Sequence, residues 1–287
     1  MRINTNVASL NAQENATNTN NNLRSSLEKL SSGLRINKAS DDASGLAIAD
    51  KLRTQASSIG QAISNGNSAV SLTQIADKAM AEQSNILDIV KQKLIQAATA
   101  TTSAEGRTAI AKDVNKLLTQ LDNIASQTNY NGISLLQASA QGTGAASAQV
   151  FQMGESSGNT ISLGAGLQSN TSGLSGMFTL KTETSGTNAD DFAAESARMM
   201  MKFVDSALNE LNAWRSDVGS TQNQLESALR NMMTQKTNIK AAESVIRDVD
   251  YAAESANFNK QNIIAQAGTY AQSQSNAIQQ NVLRLLQ

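Results

Sequence analysis

The sequence predicts a mainly α-helical protein: a long helical bundle or coiled coil built from paired amino- and carboxy-terminal segments, with a small β-hairpin region in the middle. Three observations predict it. The 287 residues contain no Pro, although average usage is about 5% and Pro is the strongest helix breaker. Apolar residues recur at heptad spacing near both ends of the chain, as the seam of a paired helix requires. Between about 137 and 188 the pattern lapses, as Gly, Ser and Thr take over and charges nearly vanish.

The elements follow in order. Ile3, Val7 and Leu10 open an apolar-periodic run, which passes through an Asn/Thr-rich interval to Leu23, Leu27, Leu30 and Leu34. The last four step by four, three and four residues, a helical seam. Ser40-Asp41-Asp42 offers an N-cap for a new amphipathic run. That run continues from near Leu46 to about Ala98, with Gly60 and Gly66 as candidate kinks. After the Thr/Ala/Ser cluster 99–104, Ile110, Val114, Leu117, Leu118, Leu121 and Ile124 predict a second helix antiparallel to it, stopping at Asn129-Tyr130-Asn131-Gly132.

In the middle region, Val150, Phe151 and Met153, then Ile161 and Leu163, flank Glu155-Ser156-Ser157-Gly158-Asn159, which predicts a β-hairpin with a five-residue turn. An unstructured Gly/Ser linker is the alternative. Helical periodicity resumes beyond Asp190 through Met199, Met200, Phe203, Val204, Leu208, Leu211 and Val218, and then from Leu225 to Val249. Ile264, Ala271, Ile278 and Leu285 close the chain at seven-residue intervals. Helical ends around a β-bearing middle imply that the termini pair with each other.

Composition excludes much chemistry. Without Cys there is no disulfide, thiolate ligand or cysteine nucleophile, and without His the commonest metal ligand and general base is missing. No cofactor site is expected, and no GxxxxGK[ST] or GxGxxG occurs. Lys and Arg number 23 against 24 Asp and Glu, so no basic footprint for nucleic acid exists. No stretch approaches the 18 or more apolar residues of a membrane span, and MRINTNVASL lacks the apolar core of a secretory signal. The expectation is a cytosolic chain, or one exported by a route that reads no such signal. Asp41-Asp42 is a carboxylate pair to consider for acid/base work. Neighbouring positions on a helix do not converge on a substrate, so capping is the expected role. Trp214 with Met199, Met200 and Met201 reads as core.

Several stretches are recognisable. Ser31-Ser32-Gly33-Leu34-Arg35-Ile36-Asn37, followed by Asp41-Asp42-Ala43-Ser44-Gly45-Leu46-Ala47-Ile48-Ala49-Asp50, resembles the amino-terminal signature of bacterial flagellins. Arg2-Ile3-Asn4-Thr5-Asn6-Val7, Gln127-Thr128-Asn129-Tyr130-Asn131-Gly132, Ile246-Arg247-Asp248-Val249-Asp250-Tyr251-Ala252, Gln266-Ala267-Gly268 and Gln280-Asn281-Val282-Leu283 complete the set in family order. The resemblance covers roughly 1–135 and 190–287. Gln279 stands where flagellins usually carry a Pro, and the middle is short, which implies that the large outer variable domains are missing.

The resemblance implies a non-enzymatic structural subunit that self-assembles into the flagellar filament for motility. A hook–filament junction protein is the alternative, and a secreted enzyme is disfavoured by composition. It implies an inner core layer of 1–44 with 247–287, and an outer-tube domain over 45–246 that includes the hairpin region. The assembly seam is then Leu23, Leu27, Leu30 and Leu34 with Ile264, Ala271, Ile278 and Leu285, packing within and between subunits. Further implications are a homopolymer, type III export to the cell exterior with an export chaperone and a cap protein as partners, and no membrane insertion. Glycosylation of the Ser/Thr-rich middle is a family habit that an unmodified linker would mimic in composition.

One helix invites comparison. Flagellins that strongly activate the flagellin-sensing Toll-like receptor read Leu-Gln-Arg-Val-Arg-Glu-Leu where this chain reads Leu87-Asp88-Ile89-Val90-Lys91-Gln92-Lys93. Ile89 replaces an arginine whose guanidinium fork Lys91 cannot reproduce. The resemblance implies a weak receptor ligand, with Leu87, Ile89, Val90, Lys91 and Lys93 on the relevant helix.

Overall fold

A computed structural model describes residues 5–137, 146–164, 167–185 and 192–285, with side chains in the last helix described through Ile278. Six helices stand among the described residues: α1 (Val7–Ser32), α2 (Ala43–Ala97), α3 (Ala104–Gln127), α4 (Met177–Glu183), α5 (Ala194–Arg247) and α6 (Tyr251–Leu285). Two antiparallel strand pairs lie between α3 and α4: β1 (Asn129–Tyr130) with β2 (Ile133–Ser134), and β3 (Gln149–Gln152) with β4 (Thr160–Leu163). The chain divides into two compact units, Met1–Ser57 with Thr237–Gln287, and Ser58–Lys236. Both boundaries fall inside helices, so α2 and α5 each contribute to both units.

Local chemistry sets the helix ends. Asn6 caps α1 by accepting from the Ser9 amide at 3.1 Å, and Ser103 caps α3 by accepting from the Gly106 amide at 3.1 Å. Gly33 ends α1 in the left-handed region at φ 74°, its N–H donating to the Lys29 carbonyl at 2.9 Å. That conformation suits a residue without Cβ. Gly60 and Gly66 lie inside a continuous α2 rather than breaking it.

In the unit spanning 58–236, the helices meet on heptad rows. On α5, Ala197, Met200, Val204, Ala207, Leu211 and Val218 are buried, and they join Leu87, Val90, Leu94 and Ala97 of α2 and Val114, Leu118 and Leu121 of α3 in one core. Trp214 and Met201 pack against this core and Met200 lies inside it, but Met199 is 60% exposed. The expectation of a core role therefore fails for Met199, which falls one position off the inward row.

The irregular stretch after the strands is pinned by polar groups. Gln83, fully buried in α2, donates through Nε2 to the Leu121 carbonyl at 3.1 Å and the Ser169 carbonyl at 3.0 Å. Asp122 accepts from the Thr171 amide at 2.7 Å and its hydroxyl at 3.0 Å, and pairs with Lys181. Buried Leu174, Met177 and Leu180 then bring α4 onto the core, an element the sequence pattern did not predict.

The hairpin forms as the alternation predicts. Phe151 pairs with Ile161 and Gln149 with Leu163, and the Met153 amide donates to the Asn159 carbonyl at 2.8 Å beyond the last ladder pair. The connection therefore runs through residues 153–159, longer than the predicted turn but centred on the same residues. The smaller β1–β2 pair turns through Asn131 (φ 50°) and Gly132 (φ 81°), the left-handed pair that a two-residue hairpin turn favours.

Candidate functional site

In the unit formed by the two termini, α1 packs along α6. The direction is antiparallel: the Asn6 side chain donates to the Ser275 carbonyl at 3.2 Å, Asn257 to the Ser26 hydroxyl at 3.4 Å, and the Tyr251 hydroxyl to the Leu30 carbonyl at 3.0 Å. Thus the two ends of the chain, hundreds of residues apart in sequence, run side by side.

Most side chains turned inward are small or polar, with Leu23, Leu30 and Phe258 the large apolar exceptions. On α1 the shielded positions include Ser9, Ala12, Ala16, Thr19, Leu23, Ser26 and Leu30, a row of alternating three- and four-residue steps that Ser25 and Lys29 flank. On α6 they include Glu254, Phe258, Gln261, Ala265, Gly268, Gln272 and Ser275, with the same alternation. Each row is a heptad seam. Small seam residues let the helix axes approach closely, but they bury little apolar area.

Many of the larger apolar residues face out. Val7 is 58% exposed, Leu10 54%, Leu27 54%, Ile263 66%, Tyr270 74% and Ile278 55%. Leu23 and Leu30 of the predicted ladder turn into the pair, and Leu34 is half-shielded in an isolated bridge to Asp248. Leu27 turns away, as do Ile264 and Ala271; the side chain of Leu285 lies outside the described residues. Sequence reading found the heptad rhythm but weighted the large residues. The inner seam carried a signal of its own in Ala12, Ala16, Ala265 and Gly268, which keep heptad spacing among themselves.

Where α1 and α6 meet the rest of the unit, two backbone segments pair. The Arg35 amide donates to the Arg247 carbonyl at 2.7 Å and the Val249 amide to the Gly33 carbonyl at 3.0 Å. Arg35 adds a guanidinium bond to the Ile246 carbonyl at 2.6 Å. The turn into α2 is then fastened by carboxylates. Asp41 accepts from the amides of Lys38 at 2.9 Å and Asn37 at 3.0 Å, which hold its carboxyl below the usual range. Asp42 accepts from the Gly45 amide at 2.9 Å and the Ser44 hydroxyl at 2.9 Å, with the same effect. A Cβ on Gly45 would collide with Oδ2 of Asp42 and sit 2.8 Å from Cδ1 of buried Ile36, so a side chain there would displace the capping carboxylate. Every donor to the Asp pair is a near neighbour in the same turn.

In the other unit, the α2 stretch 87–93 is split between core and surface. Leu87 and Val90 are fully buried, whereas Ile89 is 43% exposed. Lys91 pairs with Asp205 at 2.5 Å and Lys93 with Asp113 at 3.2 Å. Among the described residues no group of three or more Asp and Glu is placed to hold a metal ion, and no helix is long and apolar enough to cross a membrane.

Profiles of the bacterial flagellin N-terminal and C-terminal helical regions match residues 3–141 and 201–286. The flagellin of Bacillus subtilis (strain 168) is 36% identical, and the flagellar filament 33 kDa core protein of Treponema phagedenis 34%, each over the full length of both chains. Among solved structures, a putative flagellar hook-associated protein from Vibrio parahaemolyticus aligns with a TM-score of 0.58 over 72% of this chain and 99% of that one. At 12% identity this is a likeness of fold alone. Paired terminal helices with several large apolar residues exposed on their outer faces carry the kind of surface that marks protein–protein contact, and the matched profiles define the class as helical structural subunits. The chain belongs to the bacterial flagellins, and it is a structural subunit of the flagellar filament.

Proposed function

We propose that the α1–α6 pair is the polymerisation module, with 1–44 and 247–287 forming the inner layer of the filament and 45–246 the layer outside it. The observation that carries this reading is the partial inversion of the pair, whose seam is mostly small and polar, with Leu23, Leu30 and Phe258 its large apolar members, while Val7, Leu10, Leu27, Ile263, Tyr270 and Ile278 lie outside. A single seam of this kind buries too little surface to hold two long helices strongly by itself. Each outward residue gains on the order of 1.5–3 kcal/mol when fully buried, so neighbouring copies supply what the pair lacks. The ladder Leu23, Leu27, Leu30 and Leu34 with Ile264, Ala271, Ile278 and Leu285 then divides its work, Leu23 and Leu30 within the subunit and Leu27 and Ile278 between subunits.

The test is polymerisation of Leu27→Asp and Ile278→Asp after seeding with wild-type fragments, followed by electron microscopy and sedimentation. Both variants are expected to stay soluble and unpolymerised, with near-wild-type thermal unfolding of the 58–236 unit. Normal filaments from either variant overturn the reading.

As a flagellin, the chain travels to the cell exterior by the flagellar export route. An export chaperone and the filament cap are its partners on the way. Full-length likeness to flagellins favours the filament role over that of a hook–filament junction protein. The lack of Pro and Cys fits a chain that travels unfolded, since it meets neither slow prolyl isomerisation nor cross-linking outside the cell.

The face at 87–93 makes this flagellin a weak ligand of the flagellin-sensing receptor. The supporting observation is that an aliphatic side chain occupies the exposed position Ile89, while Lys91 and Lys93 are engaged by Asp205 and Asp113. In a receptor reporter assay, Ile89→Arg with Lys93→Leu is expected to raise potency; wild-type potency equal to that of a strong agonist refutes the reading.

A further inference from the structure

The sequence contains two Asn-Gly pairs, Asn65-Gly66 and Asn131-Gly132, and the fold treats them in opposite ways. In an Asn-Gly pair the absent Cβ of glycine leaves its backbone nitrogen open to the preceding side chain. That nitrogen attacks Cγ, and the new N–Cγ bond closes a five-membered succinimide. The Cγ–Nδ2 bond breaks, and ammonia leaves, carrying away the former amide proton of the glycine. Water then opens the ring at one of its two carbonyls, giving aspartate or isoaspartate with no change of oxidation state. The reaction needs only water, but it also needs a backbone free to bring nitrogen and Cγ together.

Asn65 lacks that freedom. It sits well inside α2, where its side-chain oxygen accepts from Gln61 at 3.0 Å and its amide donates to the Gln152 carbonyl at 3.4 Å. Gly66 is buried, and a Cβ there would lie 2.7 Å from Leu229 and 2.8 Å from Met153. A helix interior opens only with much of its surroundings.

Asn131 differs in each respect. It is exposed and lies in the left-handed region at φ 50°, an uncommon place for a non-glycine residue. Gly132 is exposed too, and nothing comes within 4 Å of where its Cβ would be. Two residue pairs, Asn129 with Ser134 and Tyr130 with Ile133, form the ribbon, and one further bond, from the Leu135 amide to the Thr128 carbonyl at 3.2 Å, closes its base. A two-stranded ribbon this short opens at little cost.

We propose that Asn131 is a site of spontaneous deamidation in the folded protein, and that Asn65 is protected by its helix. Conversion to aspartate changes the formal net charge from −1 to −2. Conversion to isoaspartate also inserts a backbone atom into the turn. Tyr130, which packs against the core, is the immediate neighbour that either change disturbs. The modification is cumulative, so it records the age of a subunit.

The experiment ages the full-length unpolymerised protein in mildly alkaline buffer, beside a sample held in denaturant, and follows both sites by peptide mass mapping. Trypsin separates them, because Asn65 lies between Arg53 and Lys78, and Asn131 between Lys116 and Lys181. Isoaspartate is scored by enzymatic methylation. In the folded sample Asn131 is expected to convert at least about tenfold faster than Asn65, while in denaturant the two rates converge. Asn131→Ser removes the signal from its peptide and leaves the other unchanged. Equal rates at the two sites in the folded protein overturn the proposal, as does conversion of Asn131 in denaturant alone.

Discussion

Gly33 and Gln83 show how much single side chains decide here. At φ 74° Gly33 stands in a conformation that costs an L-residue roughly 1–2 kcal/mol, and the carbonyl it leaves free accepts the Val249 amide. Gly33→Ala is expected to lower stability by about 1–2 kcal/mol in denaturant unfolding, with the loss concentrated in the terminal unit. Gln83→Leu keeps the volume but removes both Nε2 bonds. The Leu121 carbonyl lies inside α3 and keeps its helical partner, whereas the Ser169 carbonyl loses its bond to α2. A loss of about 1–3 kcal/mol follows, read by urea unfolding, together with faster hydrogen exchange around residues 167–171. Unchanged exchange there would contradict the role given to Gln83. These roles were invisible in the chain, because a buried Gln and a solvated one share the same letter.

At the scale of elements, the turn between α1 and α2 carries the clearest pH signature. In the folded chain the carboxyls of Asp41 and Asp42 titrate below the ordinary 3.8, because backbone amides donate to the ionised form. Their contribution is therefore complete above that value and is lost as pH falls through their lowered folded values. Lys38 has the opposite sign. Its bond to Glu28 at 2.7 Å raises it above 10.5, so that link is complete below 10.5 and fades as pH climbs through the raised value. The expected outcome is that the amide shifts of Asn37, Lys38 and Gly45 hold steady through neutral pH and move only in strong acid. Movement centred near neutrality would show that other groups govern the turn. The Ser40-Asp41-Asp42 cap was legible in sequence because capping chemistry is local. The small α4 was not, because Leu174, Met177 and Leu180 become an apolar face only when the polar bonds of Asp122 and Gln83 bring their segment onto α3 and α2.

For the whole molecule, folding and assembly are proposed to draw on different apolar residues. Leu118 is fully buried at the centre of the 58–236 core, whereas Leu27 is 54% exposed. Leu118→Ala is expected to cost about 2–5 kcal/mol of folding stability yet still to yield filaments below its lowered melting temperature. Leu27→Asp is expected to leave unfolding of that core nearly unchanged and to stop polymerisation. Measuring both properties on both variants separates the two roles, and parallel loss of both in either variant would merge them.

The sequence by itself determined the helical class, the extent of the long helices, the hairpin at 149–163 and the family, because periodicity, capping and turn chemistry act between residues close in the chain. It also determined that the two ends pair, through heptad rhythm at both termini. Only the tertiary structure decided which face of each rhythm turns inward. Ala12, Ala16, Ala265 and Gly268 form the inner seam while Leu27 and Ile278 lie outside. Spacing fixes a periodic stripe but not its partner. In this pair the mostly small stripe faces the partner helix and a large one is left exposed, the face proposed for another chain.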